Sequence, residues 1–174
     1  MKMFVRMRWL QVVLLLALAA GVVYAVAQTG FEPRSRALPG DAAPPFELTD
    51  LSGDKLKLSD LKGQGVLLNF WASWCNPCVN ELPLLNEAYK LTGVPVLAIN
   101  VGEKEEAVRK FAERYELAFP VLLDREMKIK QQYRVAGMPL TLLVDAQGKL
   151  VARHEGELTE MSEIIGMMEQ IKQK

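Results

Sequence analysis

The sequence predicts an α/β domain built on a central sheet and preceded by one apolar N-terminal helix. Three observations predict it. Apolar runs that read as buried strands, 66–70 and 94–101, alternate with stretches of helical period. Two further strands and a closing helix follow, which together imply an α/β sheet with helices on both faces. Ahead of these, residues 9–27 carry no charge and one strongly polar side chain, Gln11.

The chain has 174 residues, enough for one domain and an appendage. It is 50% hydrophobic and 24% charged, so it can bury a sizeable core. The formal net charge is zero but unevenly spread. The first 27 residues hold Lys2, Arg6 and Arg8 and no acid, leaving 18 basic against 21 acidic residues in the other 147. No clustered basic face of the kind a nucleic acid requires is visible, and no internal repeat.

Residues 9–27 form a 19-residue uncharged stretch, close to the roughly 20 that cross a bilayer core. The basic flank predicts a cytoplasmic N-terminus, with everything after residue 27 outside. Ala25-Val26-Ala27 also fits a signal-peptidase site. An uncleaved anchor and a signal peptide therefore both fit, and an apolar run longer than about 7–15 residues favours the anchor. Either reading places the domain where disulfides persist. Residues 28–45, with Gly30, Pro33, Pro39, Gly40, Pro44 and Pro45, read as a linker, and 46–174 as the domain.

Within the domain, 46–49 and 55–58 alternate apolar and polar and predict a hairpin. A helical turn over 59–63 ends at Gly63, and 66–70 is the central strand. The helix over 79–91 contains Pro83, which is expected to kink it. Strand 94–101 precedes a helix over 103–115, with Ala107, Val108, Phe111, Ala112 and Tyr115 on one face. Its start, Glu103-Lys104-Glu105-Glu106, reads as solvated. A short strand over 119–123, a helix over 125–133, strands over 140–145 and 149–153, and a helix over 158–171 complete the chain.

The candidate chemistry sits in Trp71-Ala72-Ser73-Trp74-Cys75-Asn76-Pro77-Cys78, which holds the only two cysteines. Cysteines three apart on a first helical turn face the same side, with Cα atoms about 5–6 Å apart, within reach of a disulfide. The unpaired N–H groups and dipole of the helix end favour an anion, so Cys75 is the candidate attacking thiolate. Cys78, one turn in, is the candidate resolving thiol. The spacing fits a redox pair or half a metal site. Structural zinc normally takes four ligands, and His154 is the only histidine, so no metal and no cofactor beyond the cysteine pair is expected.

The run 69–78, with Pro83 five residues on and Gly137-Met138-Pro139 downstream, resembles a thioredoxin-fold active site and its cis-proline loop. The opening Asp41-Ala42-Ala43-Pro44-Pro45-Phe46, the turn Leu58-Ser59-Asp60-Leu61-Lys62-Gly63 and the inserted 103–133 region resemble the membrane-anchored extracytoplasmic reductases of the ResA and TlpA type. The resemblance covers nearly the whole chain. It implies a thioredoxin-like fold with an N-terminal hairpin extension and an inserted helix-containing segment. It also implies reduction of a protein disulfide, that of the haem-attachment motif of apocytochrome c, with electrons from a membrane thiol carrier of the CcdA type.

Residue by residue, the resemblance implies more. Glu81, three after Cys78 on the same helix face, matches a glutamate that such proteins use near the thiols. Partly buried, with a raised pKa, it would handle a cysteine proton. Asn69 stands where thioredoxins proper carry a buried aspartate, and an amide cannot take that proton. Asn76 replaces an acidic residue common at this position. Pro139 is expected to be cis, with Met138 offering its backbone to an extended substrate. Leu140 departs from the threonine common there. Of the tryptophans, one is expected to pack under the helix, with Trp74 a candidate for the apolar substrate rim. His154, far in sequence from the cysteines, reads as structural or exposed.

Two other functions share parts of this pattern. A thiol peroxidase would need proline and threonine where this chain has Leu68 and Ala72. A copper-delivery protein of the Sco type would need one more residue between the cysteines and a histidine ligand.

Overall fold

The computed structural model describes residues 2–28 and 37–172, with the side chains of 2–7, 10, 23 and 25–28 excepted. The chain divides into two compact units, Met1–Arg34 and Ser35–Lys174. The first is helix α1, Lys2–Gln28, 27 residues long. Its apolar side chains Val12, Leu14, Leu16, Leu18 and Val22 are exposed. Among the described residues no helix is long and apolar enough to cross a membrane. The stretch 9–27 lies within α1, with the side chains of 10, 23 and 25–27 outside that description.

The second unit opens with a two-stranded antiparallel hairpin, β1 (Glu47–Thr49) and β2 (Lys55–Lys57), followed by a 3₁₀ turn at Leu58–Leu61. The main sheet follows: β3 (Val66–Trp71), α2 (Asn76–Thr92), β4 (Val96–Val101), α3 (Glu105–Arg114), β5 (Val121–Asp124), α4 (Lys128–Gln132), β6 (Leu140–Val144), β7 (Leu150–Glu155) and α5 (Met161–Lys172). Strand order is β5-β4-β3-β6-β7. β3, β4 and β5 run parallel, β6 pairs antiparallel with β3, and β7 pairs antiparallel with β6. The predicted elements are present, with α4 shorter than the predicted 125–133 and α2 running on through Pro83.

β3 is buried along its whole length, as its apolar run predicts for a central strand. Its alternation sorts side chains to two cores. Leu67 and Trp71 face the α2, α3 and α5 side, with Cys75, Cys78, Val108 and Ile164. Val66, Leu68 and Phe70 face the other side, with Phe46, Leu58, Ile129 and Tyr133. That second face is covered by α4 together with the N-terminal extension, so helices lie on both faces as expected. Leu48 and Leu56 of the hairpin and Leu58 of the 3₁₀ turn add apolar cover beside α4. In α3, Val108 is buried while Ala107 is exposed, so the apolar face is narrower than predicted.

The predicted linker is shorter than its composition suggested. Residues 29–36 lie outside the described residues, but 37–45 belong to the domain. Ala37 is buried, Gly40 N–H donates to the Leu150 carbonyl at 2.7 Å, and Ala43 N–H donates to that of Gly148 at 2.9 Å. The Tyr133 hydroxyl donates to the Pro44 carbonyl at 2.6 Å and the Gln132 amide to that of Pro45 at 3.0 Å. Prolines cannot donate from nitrogen, but their carbonyls anchor the segment here.

Candidate active site

β3 ends at Trp71, and the next four residues turn the chain into α2. Cys75 N–H donates to the Ala72 carbonyl at 3.1 Å, closing the turn. Cys75 is the N-cap of α2 and Pro77 lies in its first turn, where a missing N–H costs nothing. No side chain caps this helix end. Cys75 and Cys78 are joined by a disulfide with Cα atoms 5.3 Å apart. Cys75 is 7% exposed and Cys78 fully buried, the order that an attacking and a resolving thiol require. On reduction, a thiolate at Cys75 would face the unpaired N–H groups and positive end of α2.

Glu81 lies one turn beyond Cys78 and is fully buried. Its Oε1 accepts from Asn69 Nδ2 at 2.7 Å and its Oε2 from the Leu158 N–H at 2.9 Å. Asn69 Nδ2 also donates to Thr141 Oγ1 at 3.0 Å. Burial raises the Glu81 pKa to about 7; the Leu158 and Asn69 hydrogen bonds pull it down, and the Glu157 charge adds to the rise. The carboxyl therefore changes charge near neutrality, where thiols exchange protons. Sequence reasoning found Glu81 and Asn69 separately. The structure joins them and adds two partners it missed, Thr141 and the backbone of Leu158, 72 residues from Asn69 and 77 from Glu81 respectively.

The tryptophans divide as expected. Trp71 is fully buried, 4.9 Å from the Phe111 ring, while Trp74 is 69% exposed beside the cysteines. The Met138–Pro139 bond is cis. Phe70 pairs with Leu140, so the start of β6 lies beside the end of β3 and brings Pro139 next to the cysteine turn. Met138, half-buried, packs against the cluster that holds both cysteines. His154 is nearer the site than its sequence distance suggests, because it pairs with Thr141 across β6 and β7. Its Nδ1 lies 3.7 Å from Glu163 Oε1.

Glu103, read from sequence as part of a solvated helix start, turns toward the cysteine loop instead. Its Oε2 accepts from the Ser73 N–H and from Asn100 Nδ2, both at 2.7 Å, and its Oε1 accepts from the Ser73 hydroxyl at 2.5 Å. Nothing in the Glu-Lys-Glu-Glu run signals this; the one available clue was Gly102, whose φ of +74° lets the chain reverse. Three buried polar atoms of β3 and β4 have no hydrogen-bond partner: Asn69 Oδ1, Trp71 Nε1 and Asn100 Oδ1. Among the described residues no three His, Cys, Asp or Glu side chains gather as a metal site.

Comparison with known proteins agrees with this geometry. Residues 39–153 match the AhpC/TSA family. A thiol-disulfide oxidoreductase ResA from Geobacillus kaustophilus is 42% identical over 150 residues, 84% of this chain and 86% of its own. The Bacillus subtilis thiol-disulfide oxidoreductase ResA is 39% identical over 150 residues, 84% of each chain. The crystal structure of the thioredoxin domain of a Bacteroides vulgatus thiol-disulfide oxidoreductase superposes with a TM-score of 0.68 at 27% identity, covering 76% of this chain and 96% of that one.

Proposed function

The chain belongs to the AhpC/TSA family and is a thiol-disulfide oxidoreductase similar to ResA, and from that premise we propose that it is a membrane-anchored, extracytoplasmic reductase of protein disulfides. The observation that carries the reductase reading is the Cys75–Cys78 pair at an uncapped helix N-terminus with a buried carboxyl one turn beyond.

In the reduced protein the Cys75 thiolate attacks one sulfur of a substrate disulfide. An S–S bond forms between Cys75 and substrate, and the other substrate sulfur leaves as a thiolate. Cys78 gives up its proton, with Glu81 as acceptor, and its sulfur attacks Cys75. The Cys75–Cys78 disulfide forms and the second substrate thiolate leaves. Two electrons pass to the substrate, and its thiolates take up two protons, one by way of Glu81. A dithiol donor then returns the pair to the reduced state. Trp74 supplies an apolar rim, and Met138 and Pro139 supply backbone to an extended substrate segment.

The substrate we propose is the haem-attachment disulfide of apocytochrome c, and the donor a membrane thiol carrier of the CcdA type. The similarity to ResA supports both. The uncharged 9–27 stretch with its basic flank supports an anchor with a cytoplasmic N-terminus.

The test is reduction of an apocytochrome peptide carrying the disulfide, alongside insulin. Cys75→Ala abolishes both reductions, whereas Cys78→Ala accumulates a mixed disulfide at Cys75 visible by mass. A reduction potential near about −270 mV or lower marks a reductant, and one near about −120 mV an oxidant and the end of this reading. Recovery of the full chain in the membrane fraction, with the domain labelled from outside the cell, checks the topology.

A further inference from the structure

The turn that delivers Cys75 is only four residues long, and within it one backbone hydrogen bond, Cys75 N–H to the Ala72 carbonyl, holds it closed. Its middle residue, Ser73, is tied to the body of the domain by Glu103. The carboxylate accepts from both the N–H and the hydroxyl of Ser73, at 2.7 and 2.5 Å. The same carboxylate accepts from Asn100 Nδ2 at 2.7 Å. Asn100 is 1% exposed and pairs with Trp71 in the parallel ladder of β4 and β3. Glu103 therefore bridges a fixed point on the sheet to the residue two before the attacking sulfur. Gly102, with φ at +74° and its N–H bonded to the Asp124 carbonyl at 3.0 Å, sets the reversal that aims Glu103 back over the strand ends.

Resting on the reductase reading above, we propose that Glu103 is a positioning residue for the reaction: it clamps Ser73 against Asn100 and so holds Cys75 at the N-terminus of α2. The hydrogen bonds it accepts come from Ser73 and Asn100. Its effect passes through the turn, because a thiolate at Cys75 gains from the helix end only while it stays over the free N–H groups of the first turn. Freed from the clamp, the sulfur spends less time there.

Two predictions of opposite sign separate a clamp from a nearby negative charge. As a charge, Glu103 would raise the Cys75 pKa, and any neutral replacement would lower it. As a clamp, its loss lets the thiol drift up toward the ordinary value of about 8.5. Glutamine distinguishes the two. Placed like Glu103, its Oε1 accepts from the Ser73 N–H and Asn100 Nδ2, and its Nε2 donates to a rotated Ser73 hydroxyl. All three contacts survive without the charge. The buried carboxyl of Glu81 and the Glu157 charge that acts on it are unchanged in every variant.

The experiment uses the full chain, reduced, in detergent. The rate of Cys75 alkylation by iodoacetamide is followed against pH, with insulin reduction and thermal unfolding in parallel. Glu103→Ala is expected to move the alkylation midpoint upward and to slow insulin reduction by about tenfold to a hundredfold. Glu103→Gln restores most of both. Ser73→Ala, which keeps the backbone N–H, gives a smaller loss in the same direction that does not add to that of Glu103→Ala; should Glu103→Ala fail to fold, Ser73→Ala decides the direction. An unchanged midpoint in folded Glu103→Ala overturns the proposal, as does an equal downward shift in the Ala and Gln variants. If the wild-type protein reduces no disulfide, the reductase reading fails, while the alkylation midpoint still decides the clamp.

Discussion

Asn69 Nδ2 donates to Glu81 Oε1 at 2.7 Å, and both side chains are fully buried. The other end of the same amide, Oδ1, has no partner. An ionised carboxylate needs a donor at this point, and a protonated one needs an acceptor. Rotation of the Asn69 amide supplies either, with the Thr141 hydroxyl turning to match. A buried carboxyl that changes charge during a reaction thus has a neighbour suited to both of its states.

The first prediction concerns pH. The folded pKa of Glu81, about 7, lies above the ordinary 4.5, so the folded protein binds a proton that the unfolded chain has lost between those values. The stabilisation this gives is complete below about 4.5 and disappears as pH rises through about 7. Its size is on the order of 3 kcal/mol. Glu81→Gln keeps both hydrogen bonds by rotation of Asn69. Urea titrations should therefore show the variant gaining on wild type between pH 5 and pH 8, and its reduction rate losing the part of its pH dependence that Glu81 contributes, leaving that of the Cys75 thiolate.

Asn69→Asp sets a second carboxyl against Glu81. Like charges at this distance cannot both ionise readily, so the pair holds its last proton to higher pH than Glu81 does alone. The pH–rate profile should move upward, and the variant should be less stable than wild type above pH 7. Carboxyl NMR titration and urea midpoints read the two effects.

The two tryptophans should separate stability from recognition. Trp71→Ala empties a fully buried site against Phe111 and is expected to cost about 3–5 kcal/mol in urea unfolding. Trp74→Ala, at a side chain 69% exposed, should change stability by less than about 0.5 kcal/mol. Its effect should be a higher KM for a disulfide peptide with kcat little changed.

Gly65, just before β3, lies against Ile171 near the end of α5. A Cβ there would collide with the Ile171 carbonyl oxygen and lie 2.6 Å from its Cβ. Gly65→Ala should force α5 outward and cost about 1–3 kcal/mol. A lowered urea midpoint with unaltered alkylation of Cys75 checks that the damage is confined to packing.

What the sequence made legible was local. The apolar run of β3, the cysteine spacing at the start of α2 and Glu81 one turn later all declare themselves within a span of sixteen residues. What it hid depends on contacts between distant segments. Glu103 reads as a solvated charge because its partner Ser73 is 30 residues away. His154 reads as remote until the β6–β7 register sets it opposite Thr141. Residues 37–45 read as linker because proline and glycine mark irregular chain equally well whether it floats or is pinned. The exposure of Ala107 was hidden for another reason: a helical period gives a face but not how much of it a neighbour covers.

That pinned segment has a spatial meaning. The chain joins the sheet along the outer edge of β7, where Gly40 donates to the Leu150 carbonyl at 2.7 Å and Leu150 to that of Asp41 at 2.9 Å. These bonds and the Tyr133 hydroxyl bond to the Pro44 carbonyl hold residues 37–45 in place. The segment lies against the sheet face lined by Ala37, Phe46 and Tyr133, while Cys75 and Cys78 lie on the other. What secures the start of the domain and what carries the disulfide thus occupy opposite faces of the sheet.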